Sequence, residues 1–317
     1  MRKNDELAFV IITPYSLLKS RTGGIIGRLL SLSSSELISA QMYVPSDAFV
    51  DKYMEILAQS HTREDLKEAF INYVDQNLRP KNILGAVNRI MVLLFRGQNA
   101  IKDIAHVVGD INSEPRGNTI RGTYGDFLFH QDGEVRFFEP AVLVGDGHPE
   151  TIQKQLAVLA DFSETDGGVL EDKMTFDPTV EPETTLVMLK PDNFIKQSSK
   201  PGNIIDMFSR TGLYIVGARL LSMSVAQCRE FYGFLENVFV DKLKPKIVAR
   251  LKEKLSGEFD FAVTAEEYSR MADIVNEKNA RTEVNRIIHY MSGRDPEGVK
   301  AEDAGEPGLS KCLALLY

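Results

Sequence analysis

Two apolar runs of similar pattern open the two halves of the chain. LAFVIITP (7–14) and TTLVMLKP (184–191) are short, rich in aliphatic residues and end at a proline, as buried strands bounded by turns do. Each is followed by a glycine-containing helical pattern, a second apolar run and an amphipathic stretch. The pattern predicts strand, loop, helix, strand, helix in both halves, with the second helices capped by Ser46 and Ser224.

The two halves then continue differently. In the first, RIMVLLFRGQNAIKDIAHVVG (89–109) predicts another buried strand and a helix. In the second, the equivalent strand KCLALLY (311–317) comes only after a charged, helix-forming insertion at about 240–310. We therefore expect two tandem copies of one α/β (α+β) unit, each a small, mostly antiparallel sheet with helices over one face.

The distribution of charge predicts where the two copies are joined. The net charge is −8, and residues 161–183 alone hold eight acids and one lysine. An acidic stretch with glycines and prolines is typical of a solvated linker. We expect domains at 1–162 and 184–317, joined by a linker at 163–183. The net negative charge argues against nucleic-acid binding.

Other features bear on the cellular compartment. No apolar run reaches the ~18 residues that a membrane helix needs. The start, MRKNDELAFV, lacks the apolar segment and cleavage site of a signal peptide. Two cysteines in 317 residues favour a reducing compartment. We expect a cytoplasmic protein without a membrane span.

Two longer motifs resemble those of the nucleoside diphosphate kinase family. They are LKPDNF (189–194) in the second copy and FRGQNAIKDIAHVVGDINSEPRGNTIRG (95–122) in the first. The resemblance implies a ferredoxin-like sandwich and ping-pong exchange of a γ-phosphoryl group between nucleoside triphosphates, such as ATP, and nucleoside diphosphates. In that chemistry a histidine carries the phosphoryl group, and Mg²⁺ accompanies the nucleotide phosphates. A lysine at a strand tip supplies a positive charge for a terminal phosphate.

In the second copy the resemblance assigns Lys190 and Tyr232 to nucleotide binding. Lys190 is followed by proline and aspartate as the family pattern requires, with Asn193 where a glycine is usual. The alternatives are an exposed strand-end lysine for Lys190 and a helix-core aromatic residue for Tyr232. The family's histidine would lie beyond Tyr317, so we expect the natural chain to continue past this residue.

The first copy is complete in length but degenerate in chemistry. Thr13 stands where the lysine belongs, and Ala105 and Ile111 stand where the family uses an arginine and a threonine on the phosphates. Arg121 and Asn112 match the family and are assigned to nucleotide binding. Arg121 could clamp a phosphate through two hydrogen bonds, and a surface ion pair is the alternative.

The catalytic residue is left unassigned. Val144 occupies the histidine's place in AVLVGDGHPETIQKQL (141–156), and a valine cannot accept a phosphoryl group. His148, at the start of the next helix, and His130, in an expected hairpin, are substitutes of low rank. The histidines and cysteines show no metal-ligand spacing, so we expect no protein-held metal site.

From the resemblance we expect the intact protein to be a phosphotransferase whose working histidine belongs to the second copy. The alternative is an inactive nucleotide-binding or scaffolding pseudo-kinase of the same fold. In either case we expect the two copies to pack as an intramolecular pseudo-dimer, with the fused chain a monomer or a small homo-oligomer.

Overall fold

The computed structural model describes residues 5–111, 117–129, 135–170, 179, 181–258 and 261–317. The chain forms two compact units. The first consists of Met1–Leu220 and Leu313–Tyr317, and the second of Leu221–Cys312. Among the described residues, no helix is both long enough and apolar enough to cross a bilayer.

The first unit begins with a four-stranded antiparallel sheet and a separate antiparallel hairpin. Their strands are β1 (Glu6–Ile12), β2 (Glu36–Tyr43), β3 (Ile90–Gly97), β4 (Asp126–Phe129), β5 (Val135–Glu139) and β6 (Val142–Val144). The sheet has the order β2-β3-β1-β6, and β4 pairs with β5. Strands in this order, with helical crossovers, make a ferredoxin-like sandwich, so the expected fold class is confirmed.

Helices cover both faces of this sheet. They are α1 (Pro14–Leu18), α2 (Thr22–Leu32), α3 (Asp47–Ala58), α4 (Glu64–Leu78), α5 (Ala100–Val108), α6 (Ile120–Tyr124) and α7 (Pro149–Asp161). Val10 and Ile12 of β1 share a core with α2 and α5, whereas Phe9 and Ile11 share a second core with α3, α4 and α7. The expectation of helices over one face was therefore wrong. Residues 8–12 are all apolar and all buried, and such a continuous run requires cover on both sides.

A three-stranded sheet follows in the same unit. Its strands are β7 (Leu186–Leu189), β8 (Gly217–Leu221) and β9 (Cys312–Leu316), in the order β7-β9-β8. β7 and β9 are antiparallel, with Leu186 opposite Leu316. The order is the same as that of β1, β3 and β2 in the first sheet. The tandem repeat itself stays a prediction.

Helix α8 (Lys200–Ser209) packs against α2 through glycine residues. A Cβ atom on Gly23 would overlap the carbonyl oxygen of Gly202 and the carboxylate of Asp206. A Cβ atom on Gly202 would in turn overlap backbone atoms of Gly23 and Gly27. The two helix backbones are therefore in direct contact, which requires residues without side chains at the crossing.

The acidic segment expected to be a linker is partly ordered against the first sheet. Asp166 is buried and accepts hydrogen bonds from the backbone N–H and the hydroxyl of Ser46, both at 2.8 Å. Leu170 is also buried, and its N–H donates to the carbonyl oxygen of Val216. Residues 171–178 and 180 lie outside the described residues. The boundaries expected at 162 and 184 stay predictions.

The second unit is mainly helical. It contains α9 (Val225–Tyr232), α10 (Leu235–Leu255) and α11 (Ala265–Ser292), and α10 packs along α11. Ser224 caps α9, and Ser46 caps α3 in the first unit, both as predicted. Cys228 and Cys312 are buried free thiols, and burial raises the pKa of each to about 11.

Candidate functional site

A cavity of about 630 Å³ opens in the first unit where β6 ends. Its wall is formed by the end of α5, the loop after it, α6, the turn between β6 and α7, and parts of α3, α4 and α7. Four positions that the resemblance aligned with phosphate-binding or catalytic groups line this cavity: Ala105, Ile111, Arg121 and Val144. The fold thus brings these positions, widely separated in sequence, to one place.

Arg121 lies in the cavity wall and is only 9% exposed. Its Nη1 donates to the carbonyl oxygen of Gly109 at 3.0 Å, and its guanidinium lies 5.4 Å from the ring centre of Phe70. Its Nε has no hydrogen-bond partner among the residues that the structure describes. Burial lowers the pKa of Arg121 to about 10, partly opposed by the nearby charge of Asp110, so the group is cationic at neutral pH. The alternative of a surface ion pair does not describe this environment.

Val144 forms the end of β6 and presents an aliphatic group to the cavity. His148 is the residue immediately before α7 and is exposed. Its Nδ1 is 3.8 Å from the Asp146 carboxylate. Val144 is aliphatic and cannot accept a phosphoryl group, and His148 is not among the described residues that line the cavity. Asn112 and His130 lie outside the described residues.

Thr13 belongs to a buried polar network. Its hydroxyl lies 3.0 Å from the carboxylate of Glu139 and 3.0 Å from the carbonyl oxygen of Ala141, and it also caps α1. Glu139 accepts two more hydrogen bonds, from the Tyr73 hydroxyl at 2.7 Å and from the Ala141 N–H at 3.0 Å. Burial raises the pKa of Glu139 to about 7. Where the family pattern has a lysine for phosphate, this chain thus has a hydroxyl directed to an internal carboxyl group.

Two further residues of the cavity wall were missed at the sequence level. Tyr53 is fully buried, and the amide nitrogen of Gln155 lies 3.4 Å from its hydroxyl. The amide oxygen of Gln155 is buried, and no described residue donates a hydrogen bond to it. A signal for Tyr53 was available, because it lies in the helix that Ser46 caps, as Tyr232 lies in the helix that Ser224 caps. The sequence around Gln155 contains no comparable feature that would have marked this residue as part of the cavity wall.

The residues assigned in the second copy do not line this cavity. Lys190 follows β7, is exposed, and makes no ion pair within the described part of the chain. Its carbonyl oxygen accepts hydrogen bonds from the backbone and the side chain of Asn193, both at 3.1 Å. Tyr232 ends α9 in the second unit, half-buried, with its ring edge-to-face against Phe231. Burial raises the pKa of Tyr232.

Residues 183–249 match the family model described as nucleoside diphosphate kinase. This segment is related to the nucleoside diphosphate kinases. It begins just before β7, includes Lys190 and Tyr232, and ends within α10. The resemblance noted in the sequence is thereby confirmed for the second copy. No match was found among curated proteins.

Solved nucleoside diphosphate kinases also align with the chain. The Borrelia burgdorferi enzyme, solved with vanadate and ADP as a transition state mimic, is 12% identical, with 49% of this chain and 86% of that one covered and a TM-score of 0.35. The Aquifex aeolicus enzyme is 18% identical, with 49% and 94% covered and a TM-score of 0.35. The Halobacterium salinarum enzyme in complex with CDP is 15% identical, with 55% and 93% covered and a TM-score of 0.35.

Proposed function

We propose that the first unit binds a nucleoside di- or triphosphate in its cavity without accepting a phosphoryl group from it. The observation that carries this proposal is the environment of Arg121. This buried guanidinium, whose Nε–H is without a partner in the described part of the chain, lines a cavity of about 630 Å³, a volume typical of small-molecule sites. An unpaired buried donor costs about 1–3 kcal/mol, and a phosphate oxygen would satisfy it with a charge-assisted hydrogen bond.

Other groups of the cavity suit the remainder of a nucleotide. The amide oxygen of Gln155, to which none of the described residues donates, is an acceptor for a sugar hydroxyl. Leu66 and Phe70 give the wall an apolar part against which a base can pack. Val144 at the expected nucleophile position supports binding without transfer, because an aliphatic side chain forms no phosphoryl bond.

The proposal includes Mg²⁺ only as an ion carried by the nucleotide. In phosphate sites Mg²⁺ keeps several waters and is held mainly by the substrate phosphates, with one or two protein carboxylates. The carboxylate of Asp110 in the cavity wall is compatible with this arrangement. When bound, the ion would neutralise part of the phosphate charge.

Calorimetry with ADP and with ATP, each with Mg²⁺, tests the proposal. Arg121→Gln should weaken binding by roughly tenfold to a hundredfold, the size of one hydrogen bond to a charged group. Arg96→Gln is the matched control, because Arg96 pairs with Glu36 away from this cavity. Equal binding by wild type and Arg121→Gln, or no binding by either, would contradict the proposal.

Labelling with γ-labelled ATP tests the absence of transfer. We expect no acid-labile, alkali-stable label on the first unit. Stoichiometric label on His148 or His130 would show that the first unit does accept a phosphoryl group.

A second candidate function, phosphotransfer by the second copy, has its own support. The family match over residues 183–249 includes Lys190, an exposed lysine at the end of a strand. Lys190→Ala should weaken nucleotide binding to that copy by about 1–3 kcal/mol, whereas Lys196→Ala, also exposed, should not. If the Lys190→Ala and Lys196→Ala variants bind nucleotide with equal affinity, Lys190 gives no support to phosphotransfer by the second copy.

The packing of α2 on α8 supports the proposal that the two copies form an intramolecular pseudo-dimer. Gly23 and Gly202 hold corresponding places in the two sequence patterns and meet at this crossing. Such contact between equivalent positions is what a two-fold arrangement produces.

A further inference from the structure

Two histidines flank one carboxylate at the rim of the cavity. The Nδ1 of His61 lies 3.5 Å from one oxygen of Asp146, and the Nδ1 of His148 lies 3.8 Å from the other. The two imidazole rings are stacked, with centres 3.9 Å apart. One ligand atom from each of the three residues lies within 4.8 Å of those of the other two.

Asp146 is held firmly in place by its surroundings. Its side chain is only 4% exposed and accepts hydrogen bonds from the backbone N–H groups of His61 at 2.8 Å and His148 at 3.0 Å. Thr151 donates to it as well. These hydrogen bonds hold the carboxylate oxygens in fixed directions beside the two imidazole rings.

The histidines are placed by two different elements. His61 follows α3, and His148 immediately precedes α7. Their side chains are 56% and 53% exposed, so each ring has room to turn and direct a nitrogen lone pair at an ion. Because the backbone N–H groups of both histidines donate to one carboxylate, the three residues are held in fixed positions relative to one another.

The separations fit a small transition-metal ion. A Zn²⁺ ion binds histidine nitrogen and carboxylate oxygen at about 2.0–2.2 Å, so two ligands of a tetrahedral ion lie roughly 3.4 Å apart. The two nitrogen–oxygen distances of 3.5 and 3.8 Å are close to this value before any ion draws the groups together. Mg²⁺ prefers an all-oxygen shell, which two imidazoles do not provide.

We infer that His61, Asp146 and His148 bind a divalent transition-metal ion, with Zn²⁺ the best fit to the ligand set. Three protein ligands leave a fourth position of a tetrahedral ion open, as in catalytic rather than structural zinc sites. Because Asp146 also lines the cavity, the ion would lie at its rim. This inference does not depend on the proposed nucleotide binding.

The test uses the untagged 317-residue chain, stripped with a chelator and dialysed. We expect calorimetric titration with Zn²⁺ to show a single ion bound per chain. Co²⁺ in its place should give the intense visible absorption of a tetrahedral site. His61→Ala and His148→Ala should each weaken Zn²⁺ binding by at least about tenfold. Both side chains are more than half exposed, so these variants should fold.

His106→Ala and His289→Ala are matched controls, because neither histidine belongs to the cluster, and both should bind Zn²⁺ like the wild type. Absence of Zn²⁺ binding in the wild type would overturn the inference and leave the histidines as hydrogen-bonding partners of Asp146. Binding that persists unchanged in the His61 and His148 variants would also overturn it, by placing the ion elsewhere, for example on the buried thiols.

Discussion

Gly23 and Gly202 are in direct backbone contact where α2 crosses α8, and a methyl group on either would overlap the carbonyl oxygen of the other. The contact joins the segment that follows β1 to the segment that follows β7. The absence of a side chain at both positions therefore sets how closely these two helices approach.

Substitution at this contact should destabilise the first unit. In Gly202→Ala the new Cβ would meet backbone atoms of Gly23 and Gly27, which cannot move aside as a flexible side chain can. We expect the free energy of unfolding to fall by about 1–3 kcal/mol, as for other overpacked sites. Urea unfolding monitored by circular dichroism measures it.

Gly27→Ala is the control from the other helix of the same crossing, α2. A Cβ atom there would lie 3.5 Å from Ser199, an ordinary contact, and alanine favours helix over glycine by about 1 kcal/mol. The control should be neutral or stabilising. If both alanine variants lose the same free energy, the crossing does not depend on backbone contact.

Glu139 should make stability depend on pH. Its pKa is raised from 4.5 to about 7 in the folded chain, chiefly by burial. Between these values the folded chain holds the proton and the unfolded chain does not. The free energy of unfolding therefore falls as pH rises through this range, by roughly 3 kcal/mol in total. Above about pH 7 the ionisation of Glu139 no longer changes the free energy of unfolding.

Glu139→Gln removes this titration. The amide oxygen still accepts a hydrogen bond, and the Tyr73 hydroxyl can turn to accept from the amide nitrogen. We expect the variant to gain stability relative to the wild type as pH rises from 4.5 to 7. Glu164→Gln, at an exposed position, controls for the loss of a carboxylate. Parallel stability curves for wild type and Glu139→Gln would contradict this account.

Arg121 and Arg79 should respond oppositely to replacement by methionine. Arg121 is a buried cation, and its Nε finds no partner within the described ranges. Arg121→Met should therefore leave the free energy of unfolding unchanged or raise it by up to about 2 kcal/mol. Arg79 donates to Asp47, Asp51 and Asp75 at 3.0, 2.7 and 2.6 Å. Arg79→Met should lower the free energy of unfolding by about 1 kcal/mol. A larger loss for Arg121→Met than for Arg79→Met would show that Arg121 has a structural rather than a binding role.

Replacing Asp166 should lower the thermal midpoint more than replacing Glu164, which lies in the same acidic segment. It is buried and accepts two hydrogen bonds from Ser46, the residue that caps α3. Asp166→Ala should lower the thermal midpoint by several degrees, since about 1–2 kcal/mol is lost with those bonds. Glu164→Ala removes the same charge from an exposed position and should have little effect. Equal shifts would mean that this part of the segment is a solvated linker after all.

The local sequence pattern was sufficient to predict the helices and strands, but it was not sufficient to predict the contacts between them. β1 and the cap at Ser46 follow from apolar runs and capping chemistry, which act over a few residues. The partners of Thr13 are more than one hundred residues away, and His61 is separated from Asp146 by 85 residues. Nothing in local spacing marks such pairs, because the fold alone brings them together.

The burial of Arg121 could not be predicted for a related reason. A sequence pattern shows that an arginine is present, but not whether its nitrogens find partners. That depends on the carbonyl oxygen of Gly109 and the ring of Phe70, which come from other parts of the chain. The sequence therefore left open the choice between a surface ion pair and a phosphate clamp.

The contact between Thr13 and Glu139 has an evolutionary consequence. A single Thr13→Lys substitution would place an ammonium group beside an internal carboxyl group, and the two would pair with each other inside the protein. Removing Glu139 first would leave the Tyr73 hydroxyl and the Ala141 N–H without their acceptor. Each single change toward a phosphate-facing lysine at this position would thus be unproductive or destabilising. Thr13 and Glu139 are therefore coupled positions, and such a lysine would require a change at both.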